Sequence, residues 1–150
     1  MVTETPKANG RIYDTLLQLK DAGLVAASAA AQVASTDKIL DLGDGLVRGE
    51  VIIDVTAIEV ASNDEVYTIY AEFSSSASFA SGIVPGTSLR LGNSTANLLS
   101  ADTSTGRWVL PFINDFGGTV YRYMRLWTEI SGSIATGINY TAFVALARGN

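Results

Sequence analysis

The sequence of 150 residues contains neither histidine nor cysteine. Their absence excludes histidine-based catalytic triads, cysteine nucleophiles, disulfide bonds and zinc sites built from these two residues. It also removes the side chain whose ordinary pKa lies closest to neutral pH. Acid–base chemistry would therefore depend on carboxylates, lysine, tyrosine or a Ser–Lys pair. We predict that the protein is not an enzyme and that it holds no cofactor and no metal ion.

Charge is also scarce. Charged residues make up 17% of the chain, against about 25% in an average domain, and the formal net charge is −5. The ten basic residues form no basic stripe, so we expect no binding to nucleic acid. An apolar run of about 18 residues is missing, and the first residues do not resemble a secretory signal, so we expect no membrane association. The abundance of neutral surface suggests a surface that binds a partner.

β-strand signals recur through most of the chain, and no convincing helix separates them. Two early segments are ambiguous between helix and strand, residues 12–20 and the alanine-rich residues 23–36, and an extended conformation is favoured for both. Strands are predicted over residues 12–20, 23–36, 39–42, 49–61, 66–73, 79–84, 88–91, 107–112, 119–130 and 138–147. Alternation along residues 49–61 predicts two faces, one with Val51, Ile53, Val55 and Ala57, the other with Asp54, Thr56 and Ile58. Along residues 66–73 it predicts one face that carries Tyr67, Ile69, Ala71 and Phe73.

This pattern predicts an all-β protein, an antiparallel β-sandwich formed by a single domain over residues 12–150. Residues 1–11 are polar and contain proline and glycine, which indicates an extended N-terminal arm. The turn residues 62–64 suggest that strands 49–61 and 66–73 pair as a hairpin. Pro111 has no N–H group to donate, so its strand is expected to lie at the edge of a sheet or to end there.

Two short motifs could support chemistry, and both are better explained as turns. Residues 35–38 match the S-x-x-K spacing of serine acyl-transferring enzymes but lack the helix and the companion motifs of those enzymes. Asp41, Asp44 and Glu50 are close enough in sequence to suggest a calcium loop, but Gly43 occupies the second ligand position. Acidic residues are common in solvated turns, so a turn is the favoured interpretation.

Two alternative functions depend on side chains that the sequence does not bring together. An enzyme would need a carboxylate pair such as Asp54 with Glu72. A carbohydrate-binding β-sandwich would need an exposed aromatic platform, for which Tyr67, Tyr70 and Trp108 are the candidates.

The segment of residues 119–130 is unusual because both of its predicted faces are largely apolar or aromatic. One face carries Val120, Arg122, Met124, Leu126 and Ile130, and the other carries Tyr121, Tyr123, Arg125, Trp127 and Glu129. A strand with one solvated face would alternate polar and apolar residues. Two interpretations remain open, a central strand covered by a loop or by the arm, and a protein–protein interface anchored by Tyr, Trp and Arg. The candidate interface residues are Pro6, Lys7, Arg11, Tyr121, Tyr123, Arg125 and Trp127.

An ordered set of short motifs resembles the capsid cement, or decoration, proteins of tailed bacteriophages. The motifs are DTLLQL at residues 14–19, ILDLG at 39–43, RGE at 48–50, RYMRL at 122–126 and TAFVAL at 141–146. They occur in the order and at the spacing expected for that family, and the resemblance covers roughly residues 12–148.

The resemblance implies a jelly-roll-like sandwich that binds the exterior of the phage head and bridges subunits of the major capsid protein. It also implies a homo-oligomer, a dimer rather than a trimer, made in the host cytoplasm and located on the outer surface of the virion. The family has no catalytic residues to transfer. Residues 1–11 and the long loop at 92–106 depart from the family pattern, so no map of capsid contacts is transferred. Another head or tail component is the alternative within the same class.

Overall fold

The computed structural model describes residues 15–146 of the chain. Almost all of its regular structure is β-strand, in accordance with the predicted fold class. The described residues begin with a 3₁₀ helix over Thr15–Leu17 and include one short helix, α1, over Ser94–Asn97. The strands are β1 (Gln18–Lys20), β2 (Leu24–Val25), β3 (Ala29–Ala30), β4 (Gln32–Val33), β5 (Thr36–Asp37), β6 (Leu40–Asp41), β7 (Arg48–Ile58), β8 (Val66–Ser74), β9 (Val84–Gly92), β10 (Gly106–Ile113), β11 (Asp115–Phe116), β12 (Thr119–Val120), β13 (Tyr123–Ser131) and β14 (Ile138–Leu146).

The long strands form two antiparallel sheets that pack face to face. Sheet I has the order β1-β14-β7-β10, with β2 also paired to β14. Sheet II has the order β3-β13-β8-β9, with β6 also paired to β13. The predicted antiparallel β-sandwich is therefore confirmed. Pro111 lies in β10, at the edge of sheet I, as its missing N–H group predicts.

The core lies between the two sheets and is built from alternate residues of each strand. In β8 the inward residues are Tyr67, Ile69, Ala71 and Phe73, all fully buried, as the alternation predicts. Sheet I faces them with buried residues that include Val51, Ile53, Val55, Leu110, Phe112, Tyr140 and Val144.

A β-bulge in β7 changes the face on which its last residues lie. Asn139 of β14 is opposite Ala57, whereas the next residue, Tyr140, is opposite Val55, so Thr56 is the extra residue. Its hydroxyl donates to the carbonyl oxygen of Asn139 at 3.3 Å. The bulge reverses the predicted faces at the end of the strand, because Ile58 packs against the core and Ala57 is exposed.

The predicted hairpin of β7 with β8 is wrong. β7 belongs to sheet I and β8 to sheet II, so the connection between them crosses from one sheet to the other. The two strands face each other across the core instead of sharing hydrogen bonds. Their apolar faces fit either arrangement, because both arrangements bury the same side of each strand.

Three other segments refine the sequence-based assignment. Residues 23–36 are extended, as favoured, although they form several short strands instead of one. β3 and β6 behave as one edge strand interrupted by the β4–β5 hairpin, since the Ala31 N–H group donates to the carbonyl oxygen of Leu126 between them. The predicted strand at 79–84 is a loop up to Ile83, and β9 begins at Val84.

Candidate interaction surface

The outer face of sheet II carries three of the predicted interface residues. Tyr123, Arg125 and Trp127 point outward because the alternate residues of β13, Met124 and Leu126, are buried in the core. Tyr70 of β8 is directly opposite Trp127, and Glu72 is opposite Arg125. Tyr70, Tyr123 and Trp127 are each half-buried. We call these five outward residues, Tyr70, Glu72, Tyr123, Arg125 and Trp127, the aromatic face.

The guanidinium group of Arg125 organises this face. Its Nε atom lies 2.8 Å from Oε2 of Glu72, and the two side chains are only 14% and 13% exposed. Its Cζ atom lies 4.6 Å from the ring centroid of Phe79 and 5.3 Å from that of Trp127. A planar cation that contacts two rings and one carboxylate is held in a single orientation. The neighbouring Trp127 ring is therefore pre-ordered.

Part of the aromatic face is covered by the loop that follows β8. Phe79 is 5% exposed and closes over Arg125, although its backbone has a left-handed φ of 53°. The hydroxyl of Ser74 donates to the carbonyl oxygen of Ser81 at 2.9 Å and holds the loop in place. The two interpretations of this strand thus apply to different residues. The loop shields Arg125, whereas Tyr123 and Trp127 retain accessible surface.

Tyr121 does not belong to this face. The strand is interrupted between β12 and β13, so the alternation predicted through residues 119–130 does not continue across the break. The ring of Tyr121 contacts Phe116 edge-on at 6.0 Å between centroids and packs against the main core. The predicted companions Pro6, Lys7 and Arg11 lie outside the described residues.

A second apolar patch lies on the outer face of sheet I, and sequence reasoning missed it. Ile52, Phe143 and Ala145 are buried there, with Val109 packed against them. The signal was present in the run Val51–Ile53, because three consecutive aliphatic residues make both faces of a strand apolar.

The fold separates the side chains that an enzyme or a carbohydrate-binding protein would need to bring together. Asp54 lies on the outer face of sheet I and forms an ion pair with Arg107 at 2.6 Å, whereas Glu72 lies on the outer face of sheet II. These carboxylates cannot act on one substrate. Tyr67 is fully buried in the core. Trp108 belongs to β10 of sheet I and packs against the core, so neither residue forms a platform with Tyr70 on the outer face of sheet II.

The remaining motif residues occupy turns or ion pairs. Residues 34 and 35 form the tight turn between β4 and β5, with positive φ angles of 52° and 62°. Arg122 contacts Asp41 and Asp44, each at 2.8 Å. Hydrogen bonding from Arg122 lowers the pKa of Asp41. Over residues 15–146, His, Cys, Asp and Glu side chains form no group of three or more that could hold a metal ion.

Glu59 and Lys20 hold neighbouring segments together through hydrogen bonds to backbone groups. The Glu59 carboxylate accepts hydrogen bonds from the backbone N–H groups of Ala135, Thr136 and Gly137, which lower its pKa. Lys20 is 5% exposed, and its Nζ atom donates to three backbone carbonyl oxygens at 2.9 to 3.0 Å, including that of Tyr140. Burial lowers the pKa of Lys20.

No protein-family model matches the sequence, and no curated protein matches it either. The similarity to cement proteins therefore remains a resemblance carried by short motifs. In the described part of the chain, no helix has the length and apolar character needed to cross a bilayer.

Proposed function

We propose that the protein is a non-enzymatic structural protein of a tailed bacteriophage, which binds the exterior of the head and bridges subunits of the major capsid protein. It would stabilise the shell from the outer surface of the virion after synthesis in the host cytoplasm. The observation that carries this proposal is the aromatic face, a pre-ordered surface of Tyr and Trp side chains around an immobilised Arg125.

The strand order supports a sandwich of the jelly-roll type. With β1 and β2 counted as the first strand and β3 and β6 as the second, the first strand pairs with β14, the second with β13, β7 with β10, and β8 with β9. These four pairings are nested, as in a long hairpin folded over on itself. Jelly rolls occur in viral capsid proteins and also in lectins, so the fold alone does not distinguish these functions. The residues exposed on the surface do.

The surface favours protein binding over sugar binding. Tyrosine, tryptophan and arginine are the residue types enriched at the centres of protein interfaces. Because Arg125 is already paired with Glu72, a partner that covers this face need not desolvate an unpaired charge. The order of the side chains also reduces the conformational entropy lost on binding.

Binding to a shell does not require each copy to bind tightly. A stable interface takes roughly 800 Å² from each partner, and many copies on one shell multiply modest affinities. We propose that the protein acts as a homo-oligomer, with a dimer favoured over a trimer, and that its contacts involve neither nucleic acid nor membrane.

Substitution of Trp127 tests the proposal. The variant Trp127→Glu places a charge among the rings of the aromatic face, and we expect it to abolish binding to heads assembled without this protein, or to abolish oligomerisation, while the protein stays soluble and folded. Thr119→Glu, at an exposed position of β12, serves as the matched control and should bind normally. Co-sedimentation with heads measures binding, and circular dichroism measures folding.

Normal decoration of heads by Trp127→Glu would rule out the aromatic face as the interface. Mass spectrometry of separated heads and tails distinguishes a head protein from a tail component. Retention on a glycan array, with no binding of the wild-type protein to heads, would favour the carbohydrate-binding alternative.

A further inference from the structure

Two bulky residues adopt a left-handed backbone conformation, Phe79 with a φ of 53° and Leu98 with a φ of 54°. This conformation brings Cβ close to the backbone, so it is normally occupied by glycine or asparagine. A native structure retains such a residue where other contacts compensate for the strain. Phe79 and Leu98 differ in whether their side chains make such contacts.

The strain at Phe79 is compensated within the chain. Its side chain is buried, and its ring covers the guanidinium group of Arg125 at 4.6 Å. The left-handed backbone serves to turn this ring onto the aromatic face.

Leu98 receives no such compensation, because it is 93% exposed. It forms the C-terminal cap of α1, and its N–H group donates to the carbonyl oxygen of Ser94. Glycine is the usual residue at a left-handed helix end, where it satisfies the same backbone geometry without strain. In the free protein, leucine at this position adds strain and an apolar side chain in water.

The loop that carries Leu98 is held by a polar framework. Asn93 is 1% exposed, its Oδ1 atom accepts from the Thr95 N–H group at 2.8 Å, and its Nδ2 atom donates to the carbonyl oxygen of Val60 at 3.0 Å. The carboxylate of Asp102 accepts from the Ser94 N–H group at 2.8 Å. Leu98 therefore projects from a loop that hydrogen bonds hold in place. This order lowers the conformational entropy lost when a partner binds the Leu98 side chain.

We propose that Leu98 is an anchor that inserts into an apolar pocket on the protein shell to which this chain binds. The inference rests on the proposed function and adds a second point of attachment, separate from the aromatic face. Residues 93–101 carry no charged side chain, and the two charged side chains bonded to them have opposite signs, Arg90 on Asn97 at 2.6 Å and Asp102 on Ser94 at 2.8 Å. The pocket that receives Leu98 is therefore expected to have a rim without net charge.

The size of the contact favours a shell over a second copy of this chain. The exposed apolar side chains at the tip are Leu98 and Leu99, and Leu99 is only 37% exposed. They present much less than the roughly 800 Å² that each partner contributes to a stable dimer. A small contact repeated over many copies on one shell suffices through avidity.

Substitutions at Leu98 separate binding from folding. Leu98→Asn removes the anchor and relieves the strain, so we expect a melting temperature equal to or about 2 °C above that of the wild type, with binding to heads roughly tenfold weaker or more. Leu98→Met keeps an apolar side chain and should retain binding. Leu46→Asn is the matched control at another exposed loop leucine, 53% exposed, and should bind like the wild type.

Binding is measured as occupancy of heads that lack this protein, over a series of protein concentrations, and folding by thermal melting of the free protein. Normal binding by Leu98→Asn would overturn the anchor while leaving the proposed function intact. A lower melting temperature for this variant would assign Leu98 a role inside the fold and overturn the anchor as well. Dissociation of a homo-oligomer by Leu98→Asn, without loss of head binding, would identify a second copy as the occupant. If the wild-type protein does not bind heads, the proposed function fails and the anchor fails with it.

Discussion

A hydrogen bond between Tyr140 and Thr128 joins the two sheets inside the core. Tyr140 belongs to β14 of sheet I and Thr128 to β13 of sheet II, and their hydroxyl oxygens lie 2.6 Å apart. Both residues are almost completely buried, at 0% and 1% exposed. Burial raises the pKa of the Tyr140 hydroxyl, so the group is neutral at pH 7. Each hydroxyl is the hydrogen-bond partner of the other.

We expect each single substitution to be costly and the two costs to be non-additive. Tyr140→Phe leaves the Thr128 hydroxyl buried without its partner, and Thr128→Val does the same to Tyr140, at about 1 to 2 kcal/mol each. Once one hydroxyl is absent, removal of the other also removes the desolvation penalty. The double variant should therefore cost about 1 kcal/mol less than the sum of the two single variants.

The measurement is a double-mutant cycle by urea unfolding at 25 °C, with tryptophan fluorescence as the signal. The denaturant dependence should be the same for all four proteins, because a change in it would indicate an altered unfolded state. Single variants as stable as the wild type, or costs that simply add, would refute an inter-sheet hydrogen bond that contributes to stability.

Two further predictions concern the loop contact of Glu59 and the N-terminal arm. Hydrogen bonds to the Glu59 carboxylate lower its pKa in the folded state, so its contribution to stability is present above the unfolded pKa of about 4.5 and is lost as the pH falls below it. Glu59→Gln should therefore melt at a lower temperature than the wild type at pH 7, and the difference should shrink as the pH falls below about 4.5. Equal melting temperatures at pH 7 would contradict this role. Deletion of residues 1–11 should weaken attachment to heads without changing the melting temperature, and unchanged occupancy of heads by the truncated protein would exclude the arm from binding.

The sequence alone was sufficient to predict the fold class and much of the core. Strand periodicity is local, so the alternation from Tyr67 to Phe73 correctly assigned every inward residue of β8. The missing N–H group of Pro111 correctly predicted an edge strand, for a reason that does not depend on the rest of the chain.

The candidate surface was predictable in part. Both faces of β13 are apolar or aromatic, and this pattern led to Tyr123, Arg125 and Trp127. It could not indicate that a loop residue, Phe79, covers Arg125, because nothing in the sequence of that loop specifies where it packs. Leu98 gave no signal in the sequence, since its significance depends on its backbone conformation and exposure.

Other features were decided only in the tertiary structure. Alternation identifies which side of a strand is apolar, but the hydrogen bonds between strands come from the backbone, which is the same for every residue. The sequence of β7 and β8 therefore fits a hairpin as well as it fits two strands that face each other across a core. Packing of whole sheets selected the second arrangement, introduced the bulge at Thr56 and separated Asp54 from Glu72 by the full thickness of the sandwich.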